Sequence, residues 1–289
     1  MADTDADTLY LAYKTYIAGI DDIRTSQFRR HPAYIDMLEH VTPRLGAAYA
    51  ALISAEFPES LGQVEEYVAL NDRVGDPYKA RVALSQRVVE CAPTSMRYAY
   101  QALTILEKFK ASRASKIVEV GCGYGGLFLA IDFFAKRQCV PITKYHLVDL
   151  PEAGRLISKH LACHELTIPH AIHDATAYGS TVDDTGLFLI SNYCFTEIAE
   201  THRGKYVEHL FGKVAHGFIT WQTNSVPLDK TAMYLPNHVC SIQEEKPQTS
   251  GRNKNYFVTW GISGLGEALR LKAQASRPAL EGALVKTPF

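Results

Sequence analysis

Acidic residues flanking a glycine cluster carry the first chemical signal. Glu119, Gly121, Gly123, Gly125 and Gly126 stand within KIVEVGCGYGG, and Asp149 closes YHLVDLP. An apolar strand that breaks into a glycine turn and then a helix presents backbone N–H groups to a nucleotide-like ligand. Gly121, Gly123 and Gly126 also satisfy G-x-G-x-x-G, which alone is a weak dinucleotide signal. Glu119 discriminates. A carboxylate just before the turn repels a pyrophosphate but attracts the cationic amino-acid end of S-adenosylmethionine (SAM), so the pattern favours SAM over NAD. Asp149 can accept from both ribose hydroxyls, with Leu150 beside it in the cofactor-binding set. Asp174 can accept from an adenine amino group while Ala175 offers its N–H. The plainer alternatives are a turn that only packs helix on strand, and an Asp174 that caps the turn after it.

Other residues present similar choices. Arg97 with Tyr98 fits a clamp on a ligand carboxylate, or a helix surface pair. His160 and His164 are four apart, with His170 and His173 beyond them, which invites a zinc reading. Leu161, Ala162 and Cys163 fill the interval, no glutamate lies between as in H-E-x-x-H, and packing histidines are the better expectation. The six cysteines are scattered without a C-x-x-C pair, which reads as free thiols in a reducing compartment.

These residues need elements to position them. Apolar periodicity predicts helices around Leu9–Ile20, Tyr34–Val41 and Leu45–Ile53, the second cut by Pro43. Thr94 is the expected N-cap of a helix through Phe109. No convincing strand is expected over residues 8–110. Strands are expected at 116–121, 144–149, 187–192, 216–222 and 256–260, with a short one near 167–172. Helices fall between them, and a polar loop spans 243–255. The expected fold class is α/β, a Rossmann-like doubly wound sheet with an N-terminal helical cap. Residues 1–110 form the cap or dimerisation region, 111–276 the sheet domain and 277–289 a tail. A cap of this size leaves a homo-oligomer open. Net charge is −1 and no basic arm is present, which argues against nucleic acid as the partner. No apolar run would insert into a membrane, and the acidic start MADTDADT lacks a positive n-region before an apolar one; a cytoplasmic location is expected.

The motifs together resemble the sugar O-methyltransferases, SAM-dependent enzymes with a class I methyltransferase fold. The resemblance is carried by NDRVGDP (71–77), APTSMRY (92–98), IVEVGCGYGG (117–126), YHLVDLPE (145–152), ISNYCFTEI (190–198) and GFITWQT (217–223), over roughly residues 28–261. Cys122 stands where the family often has a third glycine. The resemblance implies methyl transfer to a sugar or glycan hydroxyl. A weakly acidic hydroxyl needs a base or a metal. Glu197, Asp72 and His238 are the candidate bases. Asn192 would face the donor methyl; Asn71, Asp76, Tyr193, Trp221 and Asn224 would line the acceptor cleft, Trp221 by stacking on a sugar face. The alternatives are a helix-capping Glu197, a tight turn at 71–77, a core Trp221 and a solvated His238. A Mg2+ held by Asp72, Asp76 or Glu197 stays open. Other readings are a methyltransferase for natural-product hydroxyls or amines, and a SAM-binding partner without turnover.

Overall fold

The structure is a computed structural model that describes residues 3–235 and 238–262. The expected tail 277–289 and the last part of the 111–276 region lie outside the described residues.

The cap begins with α1 (Asp3–Ala18), the one-turn α2 (Pro32–Ile35), α3 (Pro43–Glu56) and α4 (Leu61–Asn71). Pro43 opens α3 instead of merely ending the helix before it. It occupies the first turn, where a missing N–H costs nothing, and Thr42 caps the helix by accepting from the Leu45 N–H at 3.2 Å. Next comes an antiparallel hairpin, β1 (Ala80–Leu84) and β2 (Arg87–Cys91), where no strand was expected. Val82 and Leu84 alternate inward, but the turn uses Ser85 at φ +55° and lacks the Asn-Gly or Asp-Gly that marks most tight hairpins. The cap closes with α5 (Pro93–Lys110). Its N-cap is Ala92, and Thr94 is buried inside the first turn.

The remaining elements are β3 (Lys116–Val120), α6 (Gly126–Arg137), β4 (Lys144–Asp149), α7 (Pro151–Leu161), β5 (His170–Asp174), β6 (Leu187–Asn192), α8 (Glu200–His209), β7 (His216–Gln222), α9 (Thr231–Tyr234), β8 (Cys240–Glu244) and β9 (Asn255–Trp260). They form one seven-stranded sheet ordered β5-β4-β3-β6-β7-β9-β8. Every neighbouring pair from β5 to β7 is parallel; β9 runs antiparallel to β7 and to β8. This is the strand order of the class I methyltransferase sheet. The order reverses between β3 and β6, and ligands of such sheets bind at the carboxyl ends of the strands flanking that point.

The central strands are apolar runs buried on both faces, as a covered parallel sheet requires. Helix α6 is apolar nearly all round because it lies between the sheet and the cap helices. One core joins cap residues such as Tyr34, Tyr49 and Tyr67 to Ile117, Phe128 and Leu147 on the sheet; a second fills the opposite face around Phe195, Trp221 and Trp260. No helix among the described residues is long and apolar enough to cross a membrane.

Candidate active site

The glycine turn sits at the carboxyl end of β3. Gly121, Gly123 and Gly125 adopt φ of +82°, +59° and +85°, a region open to glycine and strained for other residues. Asp149, at the end of β4, reaches back to the turn. Its Oδ2 accepts from the N–H groups of Cys122 at 2.6 Å and Gly123 at 3.0 Å, and its Oδ1 accepts from Leu150 N–H. Burial raises its pKa to about 6 against these three stabilising N–H bonds. Glu119 is buried beneath the turn. Burial raises its pKa to about 8, although the Tyr145 hydroxyl donates to it at 2.8 Å; Asp149 adds like-charge repulsion. Neither carboxylate has a cationic partner among the described residues.

A cation lies nearby, equally unpaired. Arg97, on the second turn of α5, is 7 % exposed. One Nη donates to the Leu38 carbonyl at 3.3 Å, and its buried Nε has no partner among the described residues. The guanidinium lies 5.4 Å from the Tyr98 ring centre and 5.5 Å from that of Tyr193. Tyr98 and Leu38 pack over Gly123. A surface pair at 97–98 is therefore excluded, and the two residues wall the glycine turn.

A recess of about 350 Å3 opens between Asp149–Pro151, the face of α7 and the end of β5. Leu150 and Asp174 line it. Asp174 also serves its own turn, accepting from Thr176 N–H and Oγ1, both at 2.8 Å. Ala175 follows in the short turn.

Beyond β6 the chain bends sharply. Tyr193 takes φ +56°, unusual for a bulky residue and a mark of strain held by its surroundings. Its hydroxyl donates to Glu245 and lies 3.4 Å from that of Tyr49. Asn192 accepts from Thr220 Oγ1 at 2.7 Å, while its buried Nδ2 has no partner among the described residues. Cys194 presses on Gly121 so closely that a Cβ there would lie 2.3 Å from its Cβ. Glu197 sits in the turn before α8. Gln222 Nε2 donates to it at 2.6 Å, and crowding around the carboxyl raises its pKa even though the residue has an exposed side.

Several expected site residues stand elsewhere. Asp72 is buried in a structural cluster: Oδ1 takes Arg29 at 3.3 Å and Ser95 Oγ at 2.6 Å, and Oδ2 takes the Ala92 N–H at 2.6 Å. It ties the start of α5 to the end of α4. Asn71 is fully buried on Ser95 and Tyr124. Asp76 binds Gln27 and Arg30, and Arg29 N–H donates to the Gly75 carbonyl, so residues 71–77 form a turn that holds the cap together. Trp221 is fully buried in the second core, its Nε1–H donating to Val226 O at 2.8 Å; no sugar can stack on it. His238 precedes β8 and packs on Trp260, at the end of the sheet opposite the glycine turn. The length of the sheet separates it from the cleft, which removes it as a base. Asn224 lies at the correct end, donating to Ser250 Oγ at 3.3 Å.

Asp72, Asp76 and Glu197 do not converge, and no cluster of three or more His, Cys, Asp or Glu able to hold a metal occurs among the described residues. His160 and His164 face each other at 3.3 Å beside Tyr124, and burial lowers both pKa values. They are packing histidines. His170 and His173 fall on opposite faces of β5.

Sequence reasoning missed Glu245 and Tyr49. Glu245 is buried at the start of the β8–β9 loop, where it also accepts from Thr249 N–H and Oγ1 and Asn255 Nδ2. Its stretch QEEKPQT carries no motif; only the strand order brings it to Tyr193.

No family model matches the chain, and no curated protein does. Solved structures share its fold at low identity. The N-terminal domain of EvdMO1, solved in the presence of SAH and D-fucose, is 11% identical over 72% of this chain and 97% of that one, with a TM-score of 0.43. Magnesium protoporphyrin IX methyltransferase from Synechocystis PCC 6803, with bound SAM, is 11% identical over 58% and 81%, at 0.42. The methyltransferase domain of bacterial CtHen1 is 11% identical over 56% and 97%, at 0.41. At these values the likeness is one of chain path, and the chemistry must be read from this chain's own residues.

Proposed function

We propose that this protein is a SAM-dependent O-methyltransferase acting on a sugar hydroxyl, whether of a free sugar, a nucleotide-linked sugar or a glycan. One observation carries the donor assignment. A buried unpaired guanidinium, Arg97, and two buried carboxylates without cations, Glu119 and Asp149, surround a glycine turn at the switch point of the sheet. Buried charges are normally paired, so this set fits a ligand that brings both signs. SAM does so through its carboxylate and ammonium, and it supplies a methyl group already activated on a sulfonium.

Arg97 and Tyr98 would hold the donor carboxylate, Glu119 the ammonium and Asp149 the ribose. Leu150, Asp174 and Ala175 would border the adenine in the adjoining recess. Glu197 would take the acceptor's proton, since a carboxyl with a raised pKa is a better base near neutrality. Gln222 aims it. Asn192 Nδ2 has an unfilled donor for the acceptor or donor rim. Tyr193 and Asn224 complete a polar rim that suits a polyhydroxyl acceptor better than an apolar one.

The test is calorimetric titration with SAM and with NADH, followed by mass spectrometry on a panel of sugar and non-sugar acceptors. SAM binding and methylation of a sugar are expected. Binding of NADH without SAM would sink the assignment; methylation confined to non-carbohydrate acceptors would replace the sugar. SAM binding without turnover on any acceptor would leave a binding protein.

A further inference from the structure

The cap contributes more than a cover. Helix α1 lies beside α7 in the same direction: Lys14 Nζ meets Glu152 at 3.7 Å near the start of α7, and Lys159 Nζ donates to the Ile20 carbonyl further along it. Helix α7 starts at the carboxyl end of the sheet and runs away from it. The earlier turns of α1 therefore overhang the strand ends. Tyr10 is four residues before Lys14, about 6 Å closer to the cleft mouth on the same helix face. Its ring stands 6.3 Å from that of Tyr13, which is buried against Tyr34 at 6.0 Å, so the aromatic row is anchored in the core. Tyr10 itself is 41% exposed, an aromatic ring held at the rim of a cleft.

The groups around Tyr10 locate it. Burial raises its phenol pKa, and the carboxylates of Asp149, Glu197 and Glu152 and the sulfur of Cys194 raise it further. Asp149 ends β4, whereas Cys194 and Glu197 follow β6. With α1 overhanging the strand ends, Tyr10 thus lies within electrostatic reach of both sides of the cleft. The reacting sulfur must lie between those sides if the donor occupies the glycine turn.

We propose that Tyr10 is a donor-binding residue whose ring roofs the sulfonium of SAM, making α1 a wall of the donor pocket. The inference rests on the SAM assignment above. An aromatic face attracts a cation more strongly than a neutral thioether of the same shape. Tyr10 therefore favours SAM over S-adenosylhomocysteine (SAH), which helps product leave.

The experiment measures SAM and SAH affinity by calorimetry for the full-length protein, Tyr10→Phe and Tyr10→Leu. Melting curves confirm that the variants fold. Tyr10→Phe keeps the π face and should retain the SAM-to-SAH ratio. Tyr10→Leu should lose about tenfold in SAM affinity, the scale of a partly desolvated cation–π contact, and distinctly less in SAH affinity. Equal losses for both ligands, or no loss for either, would overturn the roof over the sulfonium and leave the SAM assignment standing. A parent protein that binds neither ligand would overturn the assignment itself. Should Tyr10→Leu not fold, Tyr10→Met supplies the same comparison.

Discussion

At the scale of single residues, the candidate donor site is a set of buried ionisable groups without partners of opposite charge, and that imbalance is measurable. Glu119 has a pKa near 8 without ligand, so it is largely protonated at neutral pH. A bound ammonium favours the carboxylate and lowers that pKa. SAM affinity should rise as pH climbs from 6 toward 8 and level above it, with proton release visible as buffer-dependent binding heat. A pH-independent affinity in that range would remove Glu119 from the site. Arg97→Met should weaken SAM by tenfold or more, the scale of a charge-assisted hydrogen bond, with the fold retained in circular dichroism. That Glu119, Gly121 and Asp149 meet at one turn was legible in the sequence because the geometry is local: a strand end, a turn and the next strand end. The places of Asp72, Trp221 and His238 were not. Their side-chain chemistry suits a sugar site, but chemistry does not say which end of a strand, or which face of a sheet, a residue will occupy.

Between elements, single side chains tie segments that the sequence keeps far apart. Asp72 joins the end of α4 to the start of α5 and pairs with Arg29. Arg29 keeps Glu39 at 2.7 Å when Asp72 is neutralised, so Asp72→Asn chiefly weakens the bonds from Ser95 and Ala92 and should cost about 2 kcal/mol in urea denaturation. If SAM affinity survives in the folded fraction, its role is structural, as the geometry indicates. Glu245 and Tyr193 likewise pin the loop after β8 to the end of β6. Tyr193→Phe should speed amide hydrogen exchange across residues 245–255 while leaving β3 and β4 protected. The central parallel strands were legible to within a few residues because each is a largely apolar run, and the edge strand β5, HAIHD, was placed a little early. The hairpin at 80–91 was not, since short alternation interrupted by arginines reads as loop. Strand β8 escaped for a related reason: it is an edge strand with a largely exposed, polar composition.

For the whole molecule, the cap and the sheet share one core, so stability is a property of both together. Acid should expose this. Burial holds His164 near pKa 4 and His160 well below its usual value, so the folded state resists protons that the unfolded chain accepts. Their contribution is intact above about pH 6.5 and is lost as pH falls toward 4. Glu119 and Asp149 act oppositely, their raised pKa values favouring the folded state as pH falls below 8 and 6. The histidine effect is therefore read by difference: His164→Asn should flatten the decline in urea midpoint between pH 6.5 and 4 relative to the parent. An unchanged slope would show that His164 already titrates normally in the fold.

The close seat of Cys194 on Gly121 carries a chemical consequence. Thiolates attack electrophilic methyl groups far more readily than hydroxyls do, because sulfur is the softer nucleophile. A reactive cysteine here would consume the donor and alkylate the protein. Burial raises the Cys194 pKa, and Asp149, Glu197 and Glu119 raise it further, so the sulfur stays protonated. The same carboxylates that would bind the donor and activate the acceptor also silence a side chain well able to compete with it. Intact-mass measurement after prolonged incubation with SAM should find Cys194 unmethylated, and replacing Glu197 by lysine should begin to make it a target.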